Sequence, residues 1–168
     1  MYDVVLLVEQ ELSAEDAKRV VALHEEMPEQ VKYHVVIPCH NAEAGVEASL
    51  AALGTADLYG AGIVDQRADL AEAQRAIDDE AKGCFGRSVQ RLQGLGQQAE
   101  GGITHDRAID ALVATVRKVE GQEVIVLTRP HVVAEFFHVD WSAQARRHLG
   151  VPVLHLLEHD EKKAQAPG

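Results

Sequence analysis

The apolar residues of this chain follow two rhythms. Four short runs are dominated by apolar residues: Asp3 to Val8 (DVVLLV), Val31 to Ile37 (VKYHVVI), Glu123 to Leu127 (EVIVL) and Val151 to Leu157 (VPVLHLL). Runs of this length, rich in Val, Ile and Leu, fit strands buried on both faces of a parallel sheet. Between them the spacing is helical. Ser13 and Asp16 stand at capping-box spacing, Ala17, Val20, Val21 and Met27 share one face, and Pro28 is the expected stop. A long pattern from Asp65 to Gln98 places Leu70, Ala73, Ile77, Ala81, Cys84, Ser88, Leu92 and Leu95 on one face. Gly83 and Gly86 predict a kink inside it, and Gly94 and Gly96 mark its end. Thr104 is the expected cap of a helix that buries Ile109, Leu112, Val113, Val116 and Val119 and closes at Gly121. Asp140 is the expected cap of a last helix ending at Leu149 and Gly150.

Two segments read less regularly. Leu95 to Glu100 predicts a short edge strand. Cys39 to Val64 predicts a short helix carrying Val46, Leu50 and Leu53, then an irregular connection through Gly54, Gly60 and Gly62. Strands alternating with helices need crossover connections. The expectation is therefore an α/β protein, a three-layer α/β/α sandwich around a five-stranded parallel sheet. Residues 1–158 are expected to form one domain, and the charged residues 159–168 a disordered tail.

Composition narrows the function classes. The formal net charge of -11 repels phosphate backbones and anionic lipid, so neither nucleic acid nor membrane is an expected partner. The N-terminus lacks a basic leader, and no run approaches the roughly 20 apolar residues that span a bilayer. A cytoplasmic protein is expected. Cys39 and Cys84 have no metal-type spacing and read as reduced, partly buried thiols.

The two ends of the chain resemble the universal stress protein family. At the N-terminus, DVVLLVEQELSAEDAKRVV matches that family's first strand, acidic residue, Ser-containing loop and first helix, with Glu9 where the family usually carries Asp. At the other end, EVIVLTRPHVVAEFFHVDWSAQARRHLGVPVLHLLEH matches its fourth strand, loop, helix with a basic ending at Arg147 and His148, and final strand opening on Pro152 and Val153. The resemblance implies strand order 3-2-1-4-5 and a regulatory or stress-associated domain. Nucleotide-binding members of the family carry glycines after the fourth strand, whose bare backbone N–H groups close on phosphate. Here Leu127 and Pro130 take the first two glycine positions and Val139 or Asp140 the third, and no glycine occurs from Gln122 to Leu149. Pro130 lacks an N–H, and Asp140 adds a carboxylate. No cofactor is expected, and ATP is disfavoured.

Ligands of open α/β sheets bind beyond the carboxyl ends of the strands. The candidate ligand-binding residues there are Glu9, His40, Thr128, Arg129, His131 and Asp140; His40, His131, His138 and Asp140 are the candidate metal ligands. Arg129 is expected to pair with Glu9 or Asp140. The alternative function is a small-molecule or metal-binding domain, even an enzyme, using this His-rich end. Other motifs are weaker. Gly60-Ala61-Gly62 lacks the third glycine of a dinucleotide loop, Ser142 lies in no nucleophile elbow, and capping accounts for Thr104-His105-Asp106. Finally, Val151–Leu157 is apolar apart from His155 and falls at a sheet edge, which predicts a homodimer through that strand.

Overall fold

The computed structural model describes residues 1–39, 63–129 and 141–159. Five strands form one parallel sheet: β1 (Tyr2–Val8), β2 (Val31–Pro38), β3 (Gln98–Thr104), β4 (Glu123–Thr128) and β5 (Val153–Leu157). Their order is β3-β2-β1-β4-β5, as expected. Four described helices connect them: α1 (Ala14–Ala22), α2 (Ile63–Gly94), α3 (Ala108–Val119) and α4 (Trp141–Leu149).

The period of two along the strands divides the core into two layers. Val4, Leu6 and Val8 of β1 face one side with Tyr33, Val35, Ile37, Ile125 and Leu127, under Ala17 and Val20 of α1 and Leu92 of α2. Val5 and Leu7 face the other side with Val36, Val124 and Val126, under Leu112 and Val116 of α3 and Ala145 and Leu149 of α4. β1 lies at the centre, paired in parallel with β2 and β4, and Val4 to Val8 are buried throughout.

The boundaries depart from the expected ones where a local signal competes with packing. α1 starts as expected: Ser13 Oγ accepts the Asp16 N–H at 3.0 Å. It ends at Ala22 rather than near Met27, and the chain passes through turns to Pro28. α2 runs unbroken through Gly83 and Gly86. Each glycine costs about 1 kcal/mol, whereas Ala81, Cys84, Phe85, Val89 and Leu92 all pack on the sheet, and one large apolar side chain contributes about 1.5–3 kcal/mol when buried. α2 stops at Gly94, where Gly94 and Gly96 mark the expected end, and the edge strand falls later than the expected Leu95–Glu100, at Gln98–Thr104. Thr104 therefore ends β3 and does not cap α3. Its Oγ1 accepts the Asp106 N–H at 3.2 Å, and α3 begins after Arg107. The expected helix around Val46–Leu53 and the Asp140 cap lie outside the described residues.

β3 is polar and glycine-rich (QAEGGIT) and still holds its register, with Gly101 opposite Val35. Gly101 has φ +140°, and a Cβ there would stand 1.9 Å from the Val35 carbonyl oxygen. Gly102 has nothing within 4 Å of its Cβ position. Gly101→Ala should therefore destabilise the protein by about 3 kcal/mol, the upper end for a forced backbone conformation. Gly102→Ala should cost about 0.5 kcal/mol or less. Urea unfolding of the two variants separates them, and equal costs would contradict this register.

Candidate functional site

The strand order reverses between β1 and β4. The chain leaves β1 towards β2 and β3, then returns to build β4 on the opposite side. In doubly wound sheets this switch point opens the crevice where ligands bind. Three chain segments meet there: the turn after β1 (Glu9 to Ser13), the end of β4 (Thr128, Arg129) and the end of β5 (Glu158, His159).

Glu9 and Arg129 close across the reversal. Arg129 Nη2 donates to Glu9 Oε1 at 2.9 Å, and the Arg129 backbone N–H donates to Glu9 Oε2 at 3.3 Å. The Glu9 backbone N–H in turn donates to the Leu127 carbonyl at 3.3 Å. The Glu9 side chain is 9% exposed and that of Arg129 38%. The hydrogen bond to Glu9 raises the Arg129 pKa and so favours the charged guanidinium.

A second carboxylate stands beside this pair. Glu158 accepts from Gln10 Nε2 at 2.7 Å through Oε2, while its backbone N–H continues the β4–β5 ladder to the Thr128 carbonyl at 2.8 Å. Burial pushes the Glu158 pKa up to about 7; the carboxylates of Glu9 and Asp16 add to the rise, and Gln10 and Arg129 oppose it. Among the described residues, Glu158 Oε1 and Arg129 Nε are buried without a hydrogen-bond partner. Asp16, 2% exposed, is the third carboxylate. It accepts from Ser13 Oγ, from Arg19 Nη1 at 2.7 Å and from the His159 N–H at 3.1 Å. Arg19 also reaches the Leu157 carbonyl at 2.9 Å. The start of α1 thus holds the end of β5.

The turn after β1 is held from α2. Ser88 Oγ accepts the Leu12 N–H at 2.9 Å and donates to the Cys84 carbonyl at 2.7 Å. Arg91 reaches the Leu12 carbonyl, and both Arg87 and Arg91 pair with Glu11. Burial works against the Glu11 carboxylate, but the hydrogen bonds from the two arginines outweigh it and lower its pKa.

Of the residues expected at the ligand end, Glu9, Thr128 and Arg129 are brought together, and the expected Glu9–Arg129 pair forms. Thr128 is 4% exposed and meets His155 Nε2 at 2.8 Å. Burial lowers the pKa of that imidazole, so it favours the neutral form. His40, His131, His138 and Asp140 lie outside the described residues. Sequence reasoning missed Glu158, which it left as the boundary of the tail, and it gave Asp16 only a capping role. Glu158 directly follows the last strand, and that position was the available signal.

This is a doubly wound α/β protein with a charged switch point, and its fold is that of the universal stress proteins. Aligned over nearly the whole chain are three solved structures. The universal stress protein from Archaeoglobus fulgidus superposes with TM-score 0.50 and 13% identity, over 92% of this chain and 93% of that one. The hypothetical protein MJ0577, described with a structure-based assignment of its biochemical function, gives TM-score 0.57 and 10% identity, over 95% and 98%. A universal stress protein family protein from Arabidopsis thaliana, solved with AMP bound, gives TM-score 0.55 and 13% identity, over 96% and 95%. No family model matches the chain, and no curated protein matches it by sequence.

The Glu158 carboxyl carries a pH signature. Its pKa is near 7 in the folded chain against 4.5 ordinarily, so between those values the native state keeps a proton that the unfolded state has lost. Stability from this group is therefore present at pH 5 and lost as pH rises towards 7. Water at this half-buried group reduces the size of the effect but not its sign. Glu158→Gln stays neutral at every pH, so its melting temperature relative to the parent should be higher at pH 8 than at pH 5. An offset that does not change with pH would show that the carboxyl titrates normally.

Proposed function

We propose that this chain is a divergent universal stress protein, a cytoplasmic regulatory domain that has given up ATP at its switch point and works as a homodimer. The observation that carries this reading is the Glu9–Arg129 pair across the β1–β4 reversal. The cation best placed to meet a phosphate there is held by an internal carboxylate, so an incoming anion must displace Glu9 while facing Glu158 and Asp16 as well. Desolvating a carboxylate left without its cation costs several kcal/mol, which opposes phosphate binding in a chain whose net charge is already -11. Leu127, at the position of a family glycine, is 1% exposed inside β4 and paired with Val8 and Leu156. That position supplies strand and core rather than a phosphate loop.

The dimer reading rests on β5. It pairs with β4 on one side and forms an edge of the sheet on the other. Leu154 and Leu156 are only partly buried, and Leu157 is 46% exposed. An apolar edge of this kind is protected in a closed two-fold pair. Among the described residues no helix is long and apolar enough to cross a membrane, in keeping with a domain that acts away from the bilayer.

Titration calorimetry with Mg-ATP should show no binding at millimolar or tighter affinity. A one-site isotherm that disappears in Arg129→Ala would overturn the loss of nucleotide binding.

Light scattering at micromolar concentration should report a dimer. Leu154→Lys or Leu156→Lys, whichever side chain meets the partner, should split it. A monomeric parent, or a dimer that survives both substitutions, would remove β5 as the interface.

A further inference from the structure

On the opposite flank of the sheet's carboxyl edge, away from the switch point, a second cluster of side chains converges. We propose that Cys39, Asp78 and His105 bind a divalent transition-metal ion of the zinc class. The Cys39 Sγ, one carboxylate oxygen of Asp78 and one ring nitrogen of His105 all lie within 4.8 Å of one another. They come from three separate elements. Cys39 is the residue after β2, His105 the residue after β3, and Asp78 lies on α2.

The backbone sets two of the ligands side by side. β2 and β3 run parallel in register, Pro38 opposite Thr104, and the Cys39 N–H donates to the Thr104 carbonyl at 2.7 Å. The next residue on each strand must therefore leave the sheet at the same level. The third ligand is already oriented. Asp78 Oδ1 lies 2.9 Å from His105 Nε2 and accepts from Gln74 Nε2 at 2.8 Å, an outer-shell bond of the kind that positions metal-bound carboxylates.

The donor set favours one class of ion. A thiolate with an imidazole selects zinc and its borderline-soft neighbours over calcium or magnesium, which take all-oxygen sites. Zinc bonds of about 2.0–2.3 Å put tetrahedral ligand atoms roughly 3.3–3.6 Å apart. The His105 side chain is 57% exposed and that of Asp78 23%, so rotation of exposed side chains closes the difference and the ion has a path in. On binding, the ion replaces the thiol proton of Cys39 and takes the Nε2 lone pair of His105, with the imidazole proton on Nδ1. Thiolate and carboxylate together balance its two positive charges. A surface His–Asp pair would account for two of these residues but not for the thiol beside them. Three protein ligands leave a fourth position to water, as in zinc sites that are not closed.

Cobalt(II) reports this set directly, because a cobalt–thiolate bond gives a charge-transfer absorption that oxygen and nitrogen ligands do not. Titration of the reduced full-length chain should yield that band at one ion per chain, with zinc displacing cobalt. Cys84→Ser, which alters the other cysteine, should keep the band, and Cys39→Ser should lose it while circular dichroism shows the fold intact. Asp78→Asn and His105→Ala should each weaken zinc affinity by at least about tenfold, the loss that removal of even an outer-shell partner causes. No band in the parent, a band that survives Cys39→Ser, a band lost in Cys84→Ser instead, or affinity unchanged in both other variants would each overturn the site.

Discussion

The structure depends on the two-sided burial of β1. Val4 to Val8 are at most 3% exposed, and the two faces of this strand serve different layers of helices. A strand covered on both faces must have neighbours on both edges, and in a parallel sheet those neighbours can be reached only by crossovers over the sheet. The chain reaches β2 on one side and β4 on the other, and a reversal of strand order between β1 and β4 follows. The switch point is thus a consequence of burying Val4 to Val8 on both faces. Whatever follows β1 and β4 in sequence, here Glu9 and Arg129, is delivered to the same place.

What occupies that place is charged and mostly satisfied from within. Glu9 meets Arg129, Glu158 meets Gln10, and Asp16 collects the Ser13 hydroxyl, the Arg19 guanidinium and the His159 N–H. Three carboxylates gathered at one switch point would repel one another if each were fully ionised. The chain answers with one guanidinium at the reversal and a carboxyl whose pKa rises towards 7 through burial.

The strands were legible in the sequence because their runs are dominated by Val, Ile and Leu and their burial leaves few alternatives. β1, β2 and β4 lie within a residue or so of the apolar runs that predict them. β3 was misplaced because QAEGGIT has no apolar alternation, and its pairing is imposed by β2 and by the backbone freedom of Gly101. Thr104 carried an ordinary capping signal, but the sheet claimed it first. At the site, Glu9, Thr128 and Arg129 could be read from their positions after strands. Glu158 follows β5 and offered the same positional signal; the cluster of Cys39, Asp78 and His105 could not be read, because it depends on which strand ends are neighbours and on the phase of α2 against them. Residues far apart in the chain become a group only once strand order and helix rotation are both known.

The length of α2 has a mechanical consequence. At about 1.5 Å per residue its 32 residues extend for about 48 Å, and among its described side chains those from Ala81 onward pack on the core. From that half, Arg87, Ser88 and Arg91 grip the turn after β1, while Asp78 lies ten positions before Ser88, about 15 Å along the axis. A continuous helix is stiff over that distance. Asp78, beside His105 at the end of β3, and Ser88 and Arg91, which hold the turn after β1, therefore stand on one continuous helix that joins the two flanks of the sheet's carboxyl edge.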